Sequence, residues 1–289
     1  MEREEWSSCS TSHELGLSSV SDHDNVLYDY IMRYFTSDLH LGSTLINRYA
    51  HRPFPNAGDA MLAHVIAINK ACTADDVLIH VGDFMLDGAD RHGEVEDVGL
   101  DHSREYYLKK LFPRVTLLAG NHDDGHNCEA DCKSMVLDLN QNWRNVYVNH
   151  FPSYHKDYHG PIGHGNKVQV NLCGHVHDSW ILNFDANKHV LNINVGVDVW
   201  GYKPVRDAEL TEFLDYFKAN LWTKIANDGS HWSNFVLTRK SFDEFKLAHS
   251  AEVRVQREIR KAEKHAKKCL TPEECERRKI EAMKKKGLI

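Results

Sequence analysis

Five polar clusters stand where apolar runs stop: Asp38-Leu39-His40, Gly82-Asp83, Gly120-Asn121-His122-Asp123, His150 and Gly174-His175-Val176-His177. Asp, Asn and His offer oxygen and imidazole ligands. That mixture suits hard or borderline divalent ions, Mn first and then Fe, Zn, Ni or Co, better than a thiolate site would. Asp38, His40, Asp83, Asn121, His150, His175 and His177 are enough for two ions that share one carboxylate, and a paired-metal site points to hydrolysis at phosphorus. His150 has the neighbours His155, His159 and His164 as competitors, and is preferred because it alone ends a strand-like run.

To act together, these side chains must be carried to one place. Short β-branched or apolar runs precede them at Tyr34–Thr36, Val77–Val81, Val115–Ala119, Val146–Val148, Val168–Cys173 and Val190–Val195, and all six read as strands. Ala57–Ala71, with Met61, Leu62, Val65 and Ile66 at helical spacing, and His102–Leu111 read as helices between them. In open α/β sheets sites lie beyond the carboxyl ends of the strands, so five of the six strands are expected to deliver ligands to one edge. Asp38 and His40 are two residues apart, as are His175 and His177, so extended backbone would point each pair to one side. Strands alternating with helices, then following one another closely, indicate an α/β domain with a mixed sheet or a pair of sheets. Further on, a helix from Ala208 to about 227 with Asp207 as its cap, and an edge strand at Phe235–Thr238, are expected.

The 289 residues are enough for one large α/β domain with an appendage. Three parts are expected: a disordered, Ser-rich segment over 1–28, a domain over 29–248, and a basic helical extension over 249–289, with Thr271-Pro272-Glu273-Glu274 as an internal helix start. No basic-then-apolar leader and no apolar run near the ~20 residues of a membrane span is present, so a soluble, cytoplasmic protein without membrane contact is expected. Seven scattered cysteines argue against a disulfide framework; Cys72 and Cys173 sit in apolar runs, and Cys128 and Cys132 have the spacing of a zinc or redox pair without enough further ligands. Residues 249–289 carry thirteen Lys/Arg against seven Glu, so the net charge of −7 conceals a body at −13. Such a body is a poor partner for nucleic acid, whose affinity comes from phosphate neutralisation; any polyanion contact is expected from the extension.

In order and placement the five clusters resemble the calcineurin-like metallophosphoesterase superfamily over residues 34 to about 200. The resemblance implies a four-layer αββα sandwich of two mixed sheets flanked by helices. It assigns Asp38, His40 and His177 to one metal ion, Asn121, His150 and His175 to a second, and Asp83 to a bridge, with a hydroxide between the ions as nucleophile. It also implies that His122 is not a ligand but serves the leaving-group oxygen, its ring held by Asp123.

Within that superfamily Leu86-Asp87-Gly88 lacks the Arg of the phosphoprotein phosphatases, and Asp123 replaces their Glu. Phe35-Thr36-Ser37-Asp38-Leu39-His40-Leu41 looks more like the phosphodiesterase and pyrophosphatase branches, although the UDP-diacylglucosamine pyrophosphatases usually have Arg where His122 stands. Asn192–Pro204 resembles a group of small bacterial and phage phosphoesterases, with Trp200 and Tyr202 as core packing or as stacking faces for a base. The expected activity is cleavage of phosphodiesters, and of phosphomonoesters, of a nucleotide or similar small molecule. Two alternatives stand beside it. One is a nuclease that grips the backbone with Arg257, Lys261, Lys264 and Lys268; the other is a metal-holding scaffold without catalysis.

Overall fold

The structure, a computed structural model, describes residues 31–86, 103–123, 129–165, 167–219, 235–240, 243–244, 280–281 and 284–285. The 1–28 segment, Cys128, the Thr271 helix start and the basic residues of the nuclease alternative lie outside them. The chain divides into Met1–Thr238 and Arg239–Ile289. In the second unit, Arg239 pairs with Asp243 one helical turn on, and 280–281 and 284–285 are helical. No helix among the described residues is long and apolar enough to cross a membrane.

The first unit is a mixed α/β structure with two sheets. One has the order β3 (Arg114–Leu118), β2 (Val77–Val81), β1 (Arg33–Thr36), β9 (Val205–Arg206), with β1, β2 and β3 parallel. The other runs β10 (Phe235–Leu237), β7 (Leu182–Asp185), β8 (Val190–Asn194), β6 (Gln169–Cys173), β5 (Val146–Asn149), β4 (Ser134–Leu137), with β5, β6 and β8 parallel. Strands β2 (Val-Leu-Ile-His-Val) and β8 (Val-Leu-Asn-Ile-Asn) are almost wholly buried and rich in β-branched and apolar residues, which is why they were visible in the sequence. The strands that were not foreseen lack that signal: β9 is two residues long, β4 is a short edge, and β7 reads Leu-Asn-Phe-Asp. All four β7 residues are nevertheless buried, because their polar groups are paired. Asn171, Asn192 and Asn183 face one another across β6, β8 and β7, and the Asn192 amide donates to Asn183 Oδ1 (3.2 Å) and Ser153 Oγ (2.9 Å). Ser153 Oγ in turn donates to Asp185.

Helix α1 (Leu45–Tyr49) is short and was not foreseen. Helix α2 (Ala57–Ala71) is capped by Asn56, whose side chain accepts from Asp59 N. It packs Met61, Val65, Ile68 and the following Cys72 against Leu78 and Leu117 of the first sheet, alongside Tyr107 of α3 (Arg104–Leu108). The expected apolar stripe was too wide: Leu62 and Ile66 are 53% and 56% exposed. Helix α4 (Asp207–Phe217) begins one residue earlier than read from the sequence, so Asp207 is its first residue and not its cap; Glu209 instead accepts from Arg206 N. Cys72 and Cys173 are buried free thiols.

His64 of α2 is buried against Phe54 and Tyr202, and neither ring nitrogen has a hydrogen-bond partner. Burial first, and the nearby Arg52 charge second, push its pKa down to about 3. The unfolded chain takes up a proton near pH 6.5 that the folded ring refuses, so His64 weakens the fold progressively as pH falls from 6.5 toward 3. At pH 5 the loss is about 2 kcal/mol, from roughly 1.4 kcal/mol per pH unit. Thermal melts of His64→Leu at pH 7.5 and pH 5 check this: the wild type should lose more Tm between the two than the variant, and equal losses would refute it.

Candidate metal centre

Six parallel strands, three from each sheet, end at one place, and backbone contacts lock those ends together. Ser37, just past β1, bridges to Gly196, just past β8, and Val197 N donates to Ser37 O (3.2 Å). Asp38 N and His40 N donate to Gly82 O and Asp83 O (3.1 and 3.0 Å), and Gly174 N donates to His150 O (3.0 Å). The ligand-bearing turns after β1, β2, β5 and β6 are therefore joined across both sheets before any ion is considered.

The ligand pairs do not converge by strand alternation, as the sequence suggested. Asp38, His40, Asp83, His175 and His177 all have positive φ, between 47° and 72°. For residues other than glycine the left-handed region costs roughly 1–2 kcal/mol each, and it persists only where surroundings impose it, most often at functional sites. Here the imposing contacts are visible. His175 N donates to the Asp38 carboxylate (3.0 Å to Oδ1) and His122 N to Asp83 Oδ1 (2.9 Å), so each carboxylate folds the neighbouring turn around itself. Such proximity needs glycine behind it: a Cβ on Gly174 would lie 2.4 Å from Asp38 Oδ2, and one on Gly120 2.1 Å from Asp83 Oδ1.

All seven proposed ligands are brought together. Ligand atoms of Asp38, His40 and His177 lie within 4.8 Å of one another, as do those of Asp38, Asp83 and His150. Asn121 Oδ1 sits 3.0 Å from His150 Nε2 and 2.9 Å from His175 Nδ1. One oxygen, Asp83 Oδ2, faces both groups, 3.5 Å from His40 Nε2 and 3.3 Å from His150 Nε2. His150 is fully buried, whereas its competitors are not: His155 stacks on Phe151, and His159 and His164 are exposed.

This donor set fits divalent ions. His40 is 3% exposed, and neither of its ring nitrogens has a hydrogen-bond partner; burial holds its pKa well below the usual histidine range, so it is neutral and offers lone pairs. The His150 ring is oriented by Val81 O, 2.9 Å from Nδ1, which makes Nδ1 the donor and aims Nε2 at two oxygens that cannot donate to it. Only a cation, a proton or a metal, satisfies that arrangement. Without a metal the protons take the role: although burial pushes it down, His150 is raised to about 9 by Asp83, and His177 is raised by its hydrogen bond to Asp198 and by Asp38. Asp83 is correspondingly held well below the carboxylate range despite its burial, first by the charge of His150 and by its hydrogen bond. His175 is lowered to about 4, by burial and then by the charges of His150 and His155. An entering ion must displace the protons on His150 and His177, so affinity rises with pH.

Two expectations change. Asp123 does not hold the His122 ring. Its carboxylate accepts from Asp83 N (2.7 Å), Gly120 N (2.8 Å) and Phe84 N (3.0 Å), and so clamps the β2 and β3 turns together. A buried carboxylate beside three unpaired amides satisfies them first, leaving the imidazole without that orienter. His122 itself is half-buried, its ring 5.1 Å from that of His40, and its nitrogen falls in a ligand group with His40 and Asp83. The structure therefore groups it with candidate ligands, which the sequence reading did not expect.

Trp200 is buried with its indole donating to Asn194 O, and Tyr202 packs on Phe54, so Trp200 has the core role and Tyr202 lies against its neighbours. The exposed ring beside the site is Tyr49, 75% exposed and edge-on to His177 at 5.6 Å. Asp198 and Arg52 were missed. Asp198 had the same signature as the recognised clusters, an acid just past the apolar run Val190–Val195. Arg52, in a loop after a five-residue helix, carried no such mark.

No family model matches this chain, and no curated protein sequence does. Among solved structures it is similar to the crystal structure of a protein of unknown function, AQ665 from Aquifex aeolicus, at 18% identity and a TM-score of 0.42, over 63% of this chain and 99% of that one. A likeness at that score carries no argument about function.

Proposed function

We propose that this protein is a metal-dependent phosphohydrolase of the calcineurin-like metallophosphoesterase kind, its two sheets forming the inner layers of an αββα sandwich. It would cleave phosphodiester bonds, and phosphomonoesters as well, of a nucleotide or similar small molecule. The single observation that carries this is Asp83 Oδ2, shared between His40 on one side and His150 on the other, with Asp38 and His177 completing one set and Asn121 and His175 the second.

In this proposal Asp38, His40 and His177 hold one divalent ion, Asn121, His150 and His175 the other, and Asp83 both, with Mn the first choice for an oxygen- and imidazole-rich set. When bound, such a pair supplies charge neutralisation at phosphoryl oxygens and a water acidified at neutral pH. The chain's own groups do the rest. His122, beside Asp83 and half-exposed, supplies a proton to the leaving-group oxygen. Tyr49 offers an open ring face at the rim, suited to stacking by a nucleobase or another aromatic ester group. The charge of −13 over residues 1–248 favours a small substrate over a nucleic-acid backbone.

The test is hydrolysis of bis-p-nitrophenyl phosphate and p-nitrophenyl phosphate by metal-stripped protein reconstituted with Mn, Ni, Co, Zn or Mg. Diester cleavage that depends on added metal is expected, strongest with Mn. No cleavage with any ion, at measured full occupancy, would overturn the proposal and leave the scaffold.

A further inference from the structure

The Arg52 side chain is fully buried and makes four hydrogen bonds. Nε and one terminal nitrogen form a two-pronged pair with Asp198, at 2.7 and 2.9 Å. The other bonds reach Leu39 O (3.1 Å) and Asp38 O (2.6 Å), carbonyls of the turn that carries Asp38 and His40. Asp198 Oδ2 also meets His177 Nδ1 at 3.1 Å. Every acceptor of this guanidinium is therefore either backbone of that ligand turn or the carboxylate that orients His177. A buried ion pair is weak evidence for stability alone, since apolar side chains of similar volume would often serve as well. The geometry needs a planar fork spanning three partners, which arginine offers and lysine does not.

We infer that Arg52 is a positioning residue that, with Asp198, holds Asp38, His40 and His177 as one preformed ligand set. Asp198 fixes the ring of His177 so that Nε2 faces Asp38 and His40, and Arg52 locks both Asp198 and the strained Asp38–His40 turn in place. The second set is held differently, His150 by Val81 O, with no contact to Arg52 among the described residues. The pair thus acts on one of two ion positions. This inference rests on the paired-metal proposal.

Its test is titration of metal-stripped wild type, Arg52→Lys and Asp198→Asn with Co(II), followed by visible absorption and calorimetry, with circular dichroism to verify folding. The wild type should take up two ions. Each variant should bind one of them 10–100-fold more weakly, on the scale of roughly 10–100-fold seen when a ligand's supporting partner is lost, and keep the other within about threefold. The absorption bands of the weakened ion should change and those of the retained ion persist. Asp198→Asn preserves the shape of the pair, so it carries the test if Arg52→Lys fails to fold. Two wild-type affinities in the variants, or equal loss at both positions, would overturn the inference while leaving the paired-metal proposal standing. A wild type that binds no ion would overturn both.

Discussion

Asp83→Asn is expected to lower diester turnover by at least roughly a thousandfold, about 4 kcal/mol of transition-state stabilisation. Asp83 Oδ2 is the one oxygen that faces both ligand sets, and at any working pH it is charged, since the histidines around it outweigh its burial. The amide keeps the volume and an acceptor for His122 N, and the clamp of Asp123 on residue 83 N is backbone and survives. What changes is the charge, and an NH2 that points donors at whatever His40 and His150 share. Metal content by mass spectrometry should fall below two ions per chain while the circular dichroism spectrum holds. Full activity in this variant would refute the site.

His122→Ala is expected to reduce turnover by roughly a hundred- to ten-thousandfold, the range for removal of a positioned proton donor, with both ions retained. The structure makes this a sharp division, because His122 also lies in a ligand group with His40 and Asp83. Diesters with a good leaving group, such as p-nitrophenolate, need little protonation and should suffer less than alkyl diesters. Loss of one ion from the variant, with equal effects on both substrates, would reassign His122 from proton donor to ligand. Asp123 should be undisturbed in either outcome, since its oxygens serve the Asp83, Phe84 and Gly120 amides.

The two predictions start from residues legible at different depths. Asp83 is readable from one dimension: an acid following Gly82 at the end of the run Val77–Val81 can only emerge at the strand's carboxyl end. The role of Asp123 is not, because two of its three partners lie 39 and 40 residues away and nothing in Gly-Asn-His-Asp says that the last carboxylate turns toward backbone rather than imidazole. The pairs Asp38/His40 and His175/His177 mark the same limit. Extended alternation was the wrong mechanism for these pairs, since φ is positive at all four and the amides of Asp38, His40 and His175 are held by carbonyls and a carboxylate from other strands. Strand β7 escaped notice because its asparagine and aspartate are buried by partners on β8 and in the Ser153 turn.

By itself the sequence determined what is local: the six strand-like runs, helix Ala57–Ala71, the kinds of candidate ligand and their order along the chain. Such features follow from side-chain periodicity and from the stop of each apolar run, which depend on near neighbours. Only the tertiary structure decided which carboxylate oxygen is shared, that Val81 O sets the donor nitrogen of His150, and that Arg52 and Asp198, 146 residues apart, stand behind Asp38 and His177. These are pairings between groups whose separation in the chain carries no energetic signal, and they exist only once two sheets have closed their strand ends on a single point.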